Sequence, residues 1–321
     1  MLYLVYRNIL LILMRSTILV GGQAVIEGVM MRVPGAYATA VRKSNGSIAI
    51  DYHVFNSITT KNSIYALPII RGMIHLYESM KIGYQTLNWS ADFHTSSESK
   101  NKLLDSFLSF LSIIFAIGLF FYIPLFLAGI FQTYFTSNEN IFVFNIISGC
   151  IRIILFLTYL ISISFLKDVK RLFQFHGAEH KTVYNFESGK PINVENASTF
   201  SKEHPRCGTS FVFIVMLVAI LSYALIDMII VHIGGIDLNT IKRLFIHIPC
   251  IPLIAGISYE VLKIIAKLQK HFIFRVLAFP GLMLQKITTQ KPNEEQLEVA
   301  IQALSHAFGD NLSDFKGKKF N

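Results

Sequence analysis

Charge is what this sequence has least of. Only 15% of its 321 residues are Asp, Glu, Lys or Arg, against roughly a quarter in an average globular chain. With 53% apolar residues, that deficit excludes a disordered chain, which needs high charge and low hydrophobicity. It also argues against an ordinary soluble enzyme. Three cysteines cannot all pair, and they stand far apart in the sequence, which excludes a disulfide-stapled scaffold. Cys150 and Cys250 lie in apolar runs and read as buried small hydrophobes. Nineteen glycines without a fixed period exclude collagen. No repeat or low-complexity tract is visible. Acid is scarcer than base, 20 against 29, for a net charge of +9.

What is there is long apolar runs. Ser106 to Phe135 has no formal charge, Ile141 to Leu166 has only Arg152, and Gly208 to Ile236 has only Asp227. Each reaches the roughly 20 residues needed to cross a bilayer. Leu244 to Leu262 is a weaker fourth candidate, carrying His247, Pro249, Pro252 and Glu260. The apolar opening from Met1 to Val20 is divided by Arg7 and Arg15 and lacks a small-residue cleavage site. It is expected to be an interfacial anchor rather than a signal peptide.

Lys and Arg set the orientation. Residues 1–102 hold ten, 136–140 none, 167–207 seven, 237–243 two and the tail after 262 nine. The pattern predicts both termini and the central segment on the cytoplasmic face of the plasma membrane. The excess charge is then a topological signal facing the lipid bilayer, with no nucleic-acid partner expected. The expected fold is an α-helical polytopic membrane protein of about four transmembrane helices with a cytoplasmic α+β portion. Its parts are a cytoplasmic or interfacial region (1–102), a first transmembrane hairpin (103–166), a cytoplasmic His/Glu/Cys loop (167–207), a second hairpin (208–264) and a cytoplasmic helical tail (265–321). Two alternating runs about Asn45-Gly46 predict an N-terminal β-hairpin. Apolar spacing predicts an amphipathic helix from Pro68 to Leu87, and Pro292-Asn-Glu-Glu295 opens another.

The central segment reads His176-Gly-Ala-Glu179-His180. On a helix the two imidazoles share a face. This is the H-x-x-E-H order in which some metalloproteases hold zinc between histidines while the glutamate activates water. Gly177 weakens such a helix by about 1 kcal/mol. His204 and Cys207 lie further along the same segment. The pair with His204 leaves an open, catalytic position; with both His204 and Cys207 the site closes and becomes structural. His204 is placed slightly ahead of Cys207 as third ligand, with Glu187, Glu195 and Glu203 as alternatives. Glu260 either faces this site as a ligand or sits among headgroups.

Gly21-Gly-Gln-Ala-Val-Ile-Glu27-Gly-Val-Met-Met-Arg32 is the other unusual stretch. It fits neither a Walker A loop nor a dinucleotide fingerprint. Glu27 is costly if buried alone, and Arg32 or Arg71 is a candidate partner. Arg152 and Asp227 fall near mid-span and are expected to pair with each other or to mark a polar path.

With Phe175-His-Gly-Ala-Glu-His-Lys181, His204-Pro-Arg-Cys-Gly-Thr-Ser-Phe211, Pro68-Ile-Ile-Arg-Gly72 and Ser258-Tyr-Glu260, the chain resembles the YqhQ-like family of bacterial membrane proteins. The resemblance runs over nearly everything after residue 20 and implies a metal-dependent membrane enzyme. Three functions follow as expectations. The first is a hydrolase using a divalent metal such as zinc on a membrane protein, peptide or lipid headgroup, with Glu179 as general base. The second is an assembly factor or scaffold with a structural metal clip, and the last is a transporter, which would need to oligomerise.

Overall fold

The computed structural model describes residues 20–94, 102–135, 140–268 and 271–317. The expected anchor at Met1 to Val20 lies outside them, Val20 excepted. The chain opens as a four-stranded antiparallel meander: β1 (Gly21–Val25), β2 (Gly28–Val33), β3 (Ala36–Arg42) and β4 (Ile48–Val54). The expected hairpin is β3–β4, with Gly46 at φ 84° where its turn needs a left-handed residue. β1 and β2 extend the sheet beyond it.

Both faces of the sheet are covered, which is why β2 reads Val29-Met-Met31 ahead of Arg32 instead of alternating. Val29, Met31, Ala38 and Ala40 face α5 (Lys167–Ser188) and α11 (Glu294–Phe308), against Phe175, Phe186, Leu304 and Phe308. Met30 and Tyr37 point the other way onto Ile82 of α1 (Ile70–Ala91). Helix α1 leaves Tyr77, Met80, Tyr84 and Leu87 exposed along one stripe. Helix α11 starts with a capping box, Asn293 and Gln296 each accepting from the other's backbone N–H.

Among the described residues, three helical stretches are long and apolar enough to cross a membrane. The first is α2 (Lys102–Ile117) running through a π turn, Gly118–Tyr122, into α3 (Ile123–Phe135). The second is α4 (Ile141–Ser164) and the third α7 (Gly208–His232). Between the last two lie α5, nearly continuous with α4, and the short α6 (Val194–Ser198). The weak fourth candidate is a bent pair, α8 (Thr240–His247) and α9 (Ile251–Lys267), with 59° between them. Pro249 stands in the break and Pro252 in the first turn of α9, where each removes a backbone donor. The pair makes a fourth span only if it is counted as one. Helix α10 (Phe272–Thr288) then lies against α7 and α9. Cys150, read as buried, is exposed on α4, and Cys250 is half-buried.

Arg152 and Asp227 do not pair, contrary to expectation. Arg152 donates to the Phe120 carbonyl in the π turn at 2.9 Å and lies over the Phe121 and Tyr223 rings. Asp227 accepts from Asn145 (2.9 Å), Arg243 (3.0 Å) and His247 (2.9 Å). The two charges share a depth in the sequence but serve different neighbours.

Candidate metal centre

The central segment is a helix, so His176 and His180 do stand one turn apart on α5, their ring centres 4.5 Å apart. Each ring is oriented by a backbone carbonyl. His176 Nδ1 lies 2.8 Å from the Thr288 oxygen and His180 Nδ1 2.5 Å from the Lys202 oxygen. A carbonyl only accepts, so both Nδ1 atoms carry the proton and both Nε2 atoms present a lone pair. Cys207 completes the group: His176 Nε2 is 3.2 Å from its Sγ, and one ligand atom from each of His176, His180 and Cys207 lies within 4.8 Å of the others. Cys207 is the N-cap of α7, its sulfur accepting from the Thr209 N–H. Glu179 Oε2 is 3.4 Å from His180 Nε2. Burial holds the Glu179 carboxyl above the usual carboxylate range, opposed by His176, His204, Arg206 and the Gly22 N–H. Burial likewise lowers the His180 imidazole.

The donor set suits a zinc-like cation. Two imidazole lone pairs, a sulfur and a carboxylate oxygen converge, and nitrogen with sulfur is the set that zinc prefers. The carbonyl partners of both Nδ1 atoms are the usual outer support of metal-binding histidines.

Residues 67–310 match a protein family described as a protein of unknown function, DUF1385. The uncharacterized protein YqhQ of Bacillus subtilis (strain 168) is 33% identical over 300 residues, covering 89% of this chain and 91% of that protein. The chain belongs to this YqhQ-like DUF1385 family. No solved structure matches it. The stretch shared with the DUF1385 family contains His176, Glu179, His180 and Cys207.

Other site residues fall elsewhere than the sequence suggested. His204, ranked ahead of Cys207, stands beside the centre instead of in its third corner. Its Nδ1 accepts from the Arg206 N–H at 3.3 Å, and its Nε2 is 3.8 Å from Glu187. Glu187 is paired with Arg206, and Glu203 with Lys202 and Ser201. Glu260 does not face the centre: it takes both arms of the buried Arg71, Nε at 2.7 Å. Arg32 pairs with Glu78 at 3.2 Å. The partner of Glu27 is therefore neither expected arginine but Arg171 of α5. Glu27 sits in the β1–β2 turn at φ 53°, so this pair ties that turn to the helix bearing the histidines.

The glycines now have reasons. A Cβ on Gly22 would lie 2.5 Å from the Met30 oxygen and 2.8 Å from Glu179 Cγ. Strand β1 thus passes flush against the glutamate, and the Gly22 N–H reaches its carboxylate. A Cβ on Gly177 would lie 2.1 Å from the Gln290 oxygen, so the helix penalty at that position is offset by the close passage of the chain after α10. Gln285 is a positioning residue to which the sequence reading gave no role. Fully buried, it accepts from the His204 N–H (2.7 Å) and donates to the His204 carbonyl (2.8 Å) and Ser210 (2.9 Å). Lys202 Nζ donates to the Thr289 carbonyl at 2.8 Å, and Lys181 holds the Ser198 carbonyl at 2.8 Å. Glutamine and lysine carry no spacing signal of their own, so only the fold reveals these supports.

Proposed function

We propose that this chain is a multi-pass plasma-membrane protein with a divalent metal centre, and that the centre serves hydrolysis. The reading places it on the cytoplasmic side, with zinc held by His176, His180 and Cys207. The observation that carries it is the pair of carbonyl-fixed histidines whose Nε2 lone pairs meet Cys207, with Glu179 alongside. Three protein ligands leave one coordination position open, the pattern of catalytic rather than structural zinc. The chemistry such an ion supplies is Lewis-acid polarisation of water and of a carbonyl or phosphoryl group. Glu179 is assigned as general base, its carboxylate oriented by the Gly22 N–H. Helix α5 follows α4 directly and Cys207 opens α7, so the reading seats the centre beside the same ends of two spans. That location favours a membrane protein or a lipid headgroup as substrate.

The burial of Cys207 and His180 favours a second reading, a structural metal clip in an assembly factor or scaffold. Metal analysis of the detergent-purified protein tests the first step. The expected result is about one zinc per chain in the wild type, lost in the double variant His176→Ala/His180→Ala. Glu179→Gln then separates the readings. For the hydrolase, metal stays while the cellular phenotype of a deletion returns; for the clip, both metal and function persist. A wild-type protein purified without stoichiometric metal sinks both.

A further inference from the structure

We propose that the first half of α10, Phe272–Phe279, lies in the boundary between headgroups and acyl chains of the leaflet nearest the candidate metal centre. The proposal rests on the membrane reading above and assigns that leaflet a surface that the tail was not expected to touch. Phe272, Ile273, Val276 and Phe279 are 75%, 64%, 52% and 55% exposed. That matches Leu221 on the outer face of span α7, at 64%. Eight helical residues rise about 12 Å, too short to cross a hydrocarbon core of roughly 30 Å. An apolar face of that length lies in the interface plane instead.

Two further observations choose lipid as the occupant. The helix is seated on the candidate spans: Leu277, Ala278 and Gly281 share a small cavity with Ser210 and Ile214 of α7 and Leu262 and Ile265 of α9, so its exposed face stands beside theirs. The charge is one-sided. From Val261 to Asn293 the sequence has six Lys or Arg and no Asp or Glu, which complements an anionic leaflet. Arg275 and Lys286 are exposed, and their long stems let the charges reach headgroups while the helix stays lower. Pro280 divides the helix. Beyond it, Gln285 and Thr288 turn inward to His204 and His176. One helix thus joins a lipid-facing half to the wall of the metal centre.

The test uses the full chain in vesicles of phosphatidylcholine and phosphatidylglycerol with brominated acyl chains. The single tryptophan, Trp89, is first changed to Phe. New tryptophans are then placed one at a time: Phe279→Trp, Val276→Trp as a second probe if the first misfolds, Leu221→Trp in a span, and Tyr52→Trp on β4. The expected result is bromine quenching of about twofold or more at positions 279 and 221 and none at 52. Quenching at 221 without quenching at 279 or 276 overturns this proposal and leaves the membrane reading standing. No quenching at 221 overturns the membrane reading itself. A residue 279 shielded from both bromolipid and aqueous iodide overturns the proposal in favour of a protein, a second copy included, covering the helix.

Discussion

Two of the buried polar clusters among the described residues are of opposite construction. Around Asp227 a single anion is ringed by donors: both carboxylate oxygens are taken, by Asn145, Arg243 and His247. Around Cys207 the acceptors face one another: two Nε2 lone pairs, a sulfur and the Glu179 carboxylate converge, and each ring's Nδ1–H points away from them, donating to the backbone carbonyl that orients the ring. The first arrangement satisfies the Asp227 carboxylate and ties α4, α7 and α8 together, although the buried His247 Nδ1 has no partner. The second is donor-poor at its centre, which is costly unless a cation or protons join it. Burial is common to both clusters; the sign of the groups that point inward is what separates them.

Substitutions can break that comparison. The largest loss is expected from Asp227→Ala, which removes the buried acceptor shared by Asn145, Arg243 and His247. Removing one partner of a buried charged pair costs about 3–5 kcal/mol, read as a lowered thermal midpoint in detergent, with zinc content unchanged. Loss of zinc in that variant would show that the two clusters are not independent. Gly22→Ala should cost about 1–3 kcal/mol by overpacking against Met30 and Glu179, lowering activity while metal remains. Gln285→Leu leaves the buried His204 N–H unpaired, about 1–3 kcal/mol, while the His204 carbonyl keeps the Cys207 N–H. As an outer support of the centre it should also weaken zinc binding about 10- to 100-fold in a competitive chelator titration; unchanged affinity would detach Gln285 from the site. Arg171→Ala removes a half-exposed pair with Glu27 and should cost under about 1 kcal/mol, a baseline for the other variants.

What the sequence made legible follows from local physics. The Asn45-Gly46 hairpin, the capped helix after Pro292 and the shared face of His176 and His180 each depend on residues a few positions apart, and each is in the structure. The misses are long-range. β2 has no alternation because helices cover both faces of its sheet. Choosing Cys207 over His204 requires the path of a three-residue turn, which Gln285 of a distant helix sets. Equal depth of Arg152 and Asp227 in their spans says nothing about rotation around each helix axis, and the carbonyl that Arg152 takes belongs to a π turn that no residue type announces. Arg171, the partner of Glu27, is 144 positions away.

That π turn makes the first span sensitive to length in an unusual way. Gly118–Tyr122 holds one residue more than an α-turn would. Deleting any single residue there would restore regular winding and swing Lys102–Ile117 by about 100° relative to α3. It would also pull the Phe120 carbonyl into the helical ladder and away from Arg152. A deletion is usually the harsher lesion in a helix because it breaks register. Here the register is already offset by one, so the lesion would leave a good helix carrying the wrong face, with Arg152 of α4 stripped of its Phe120 acceptor.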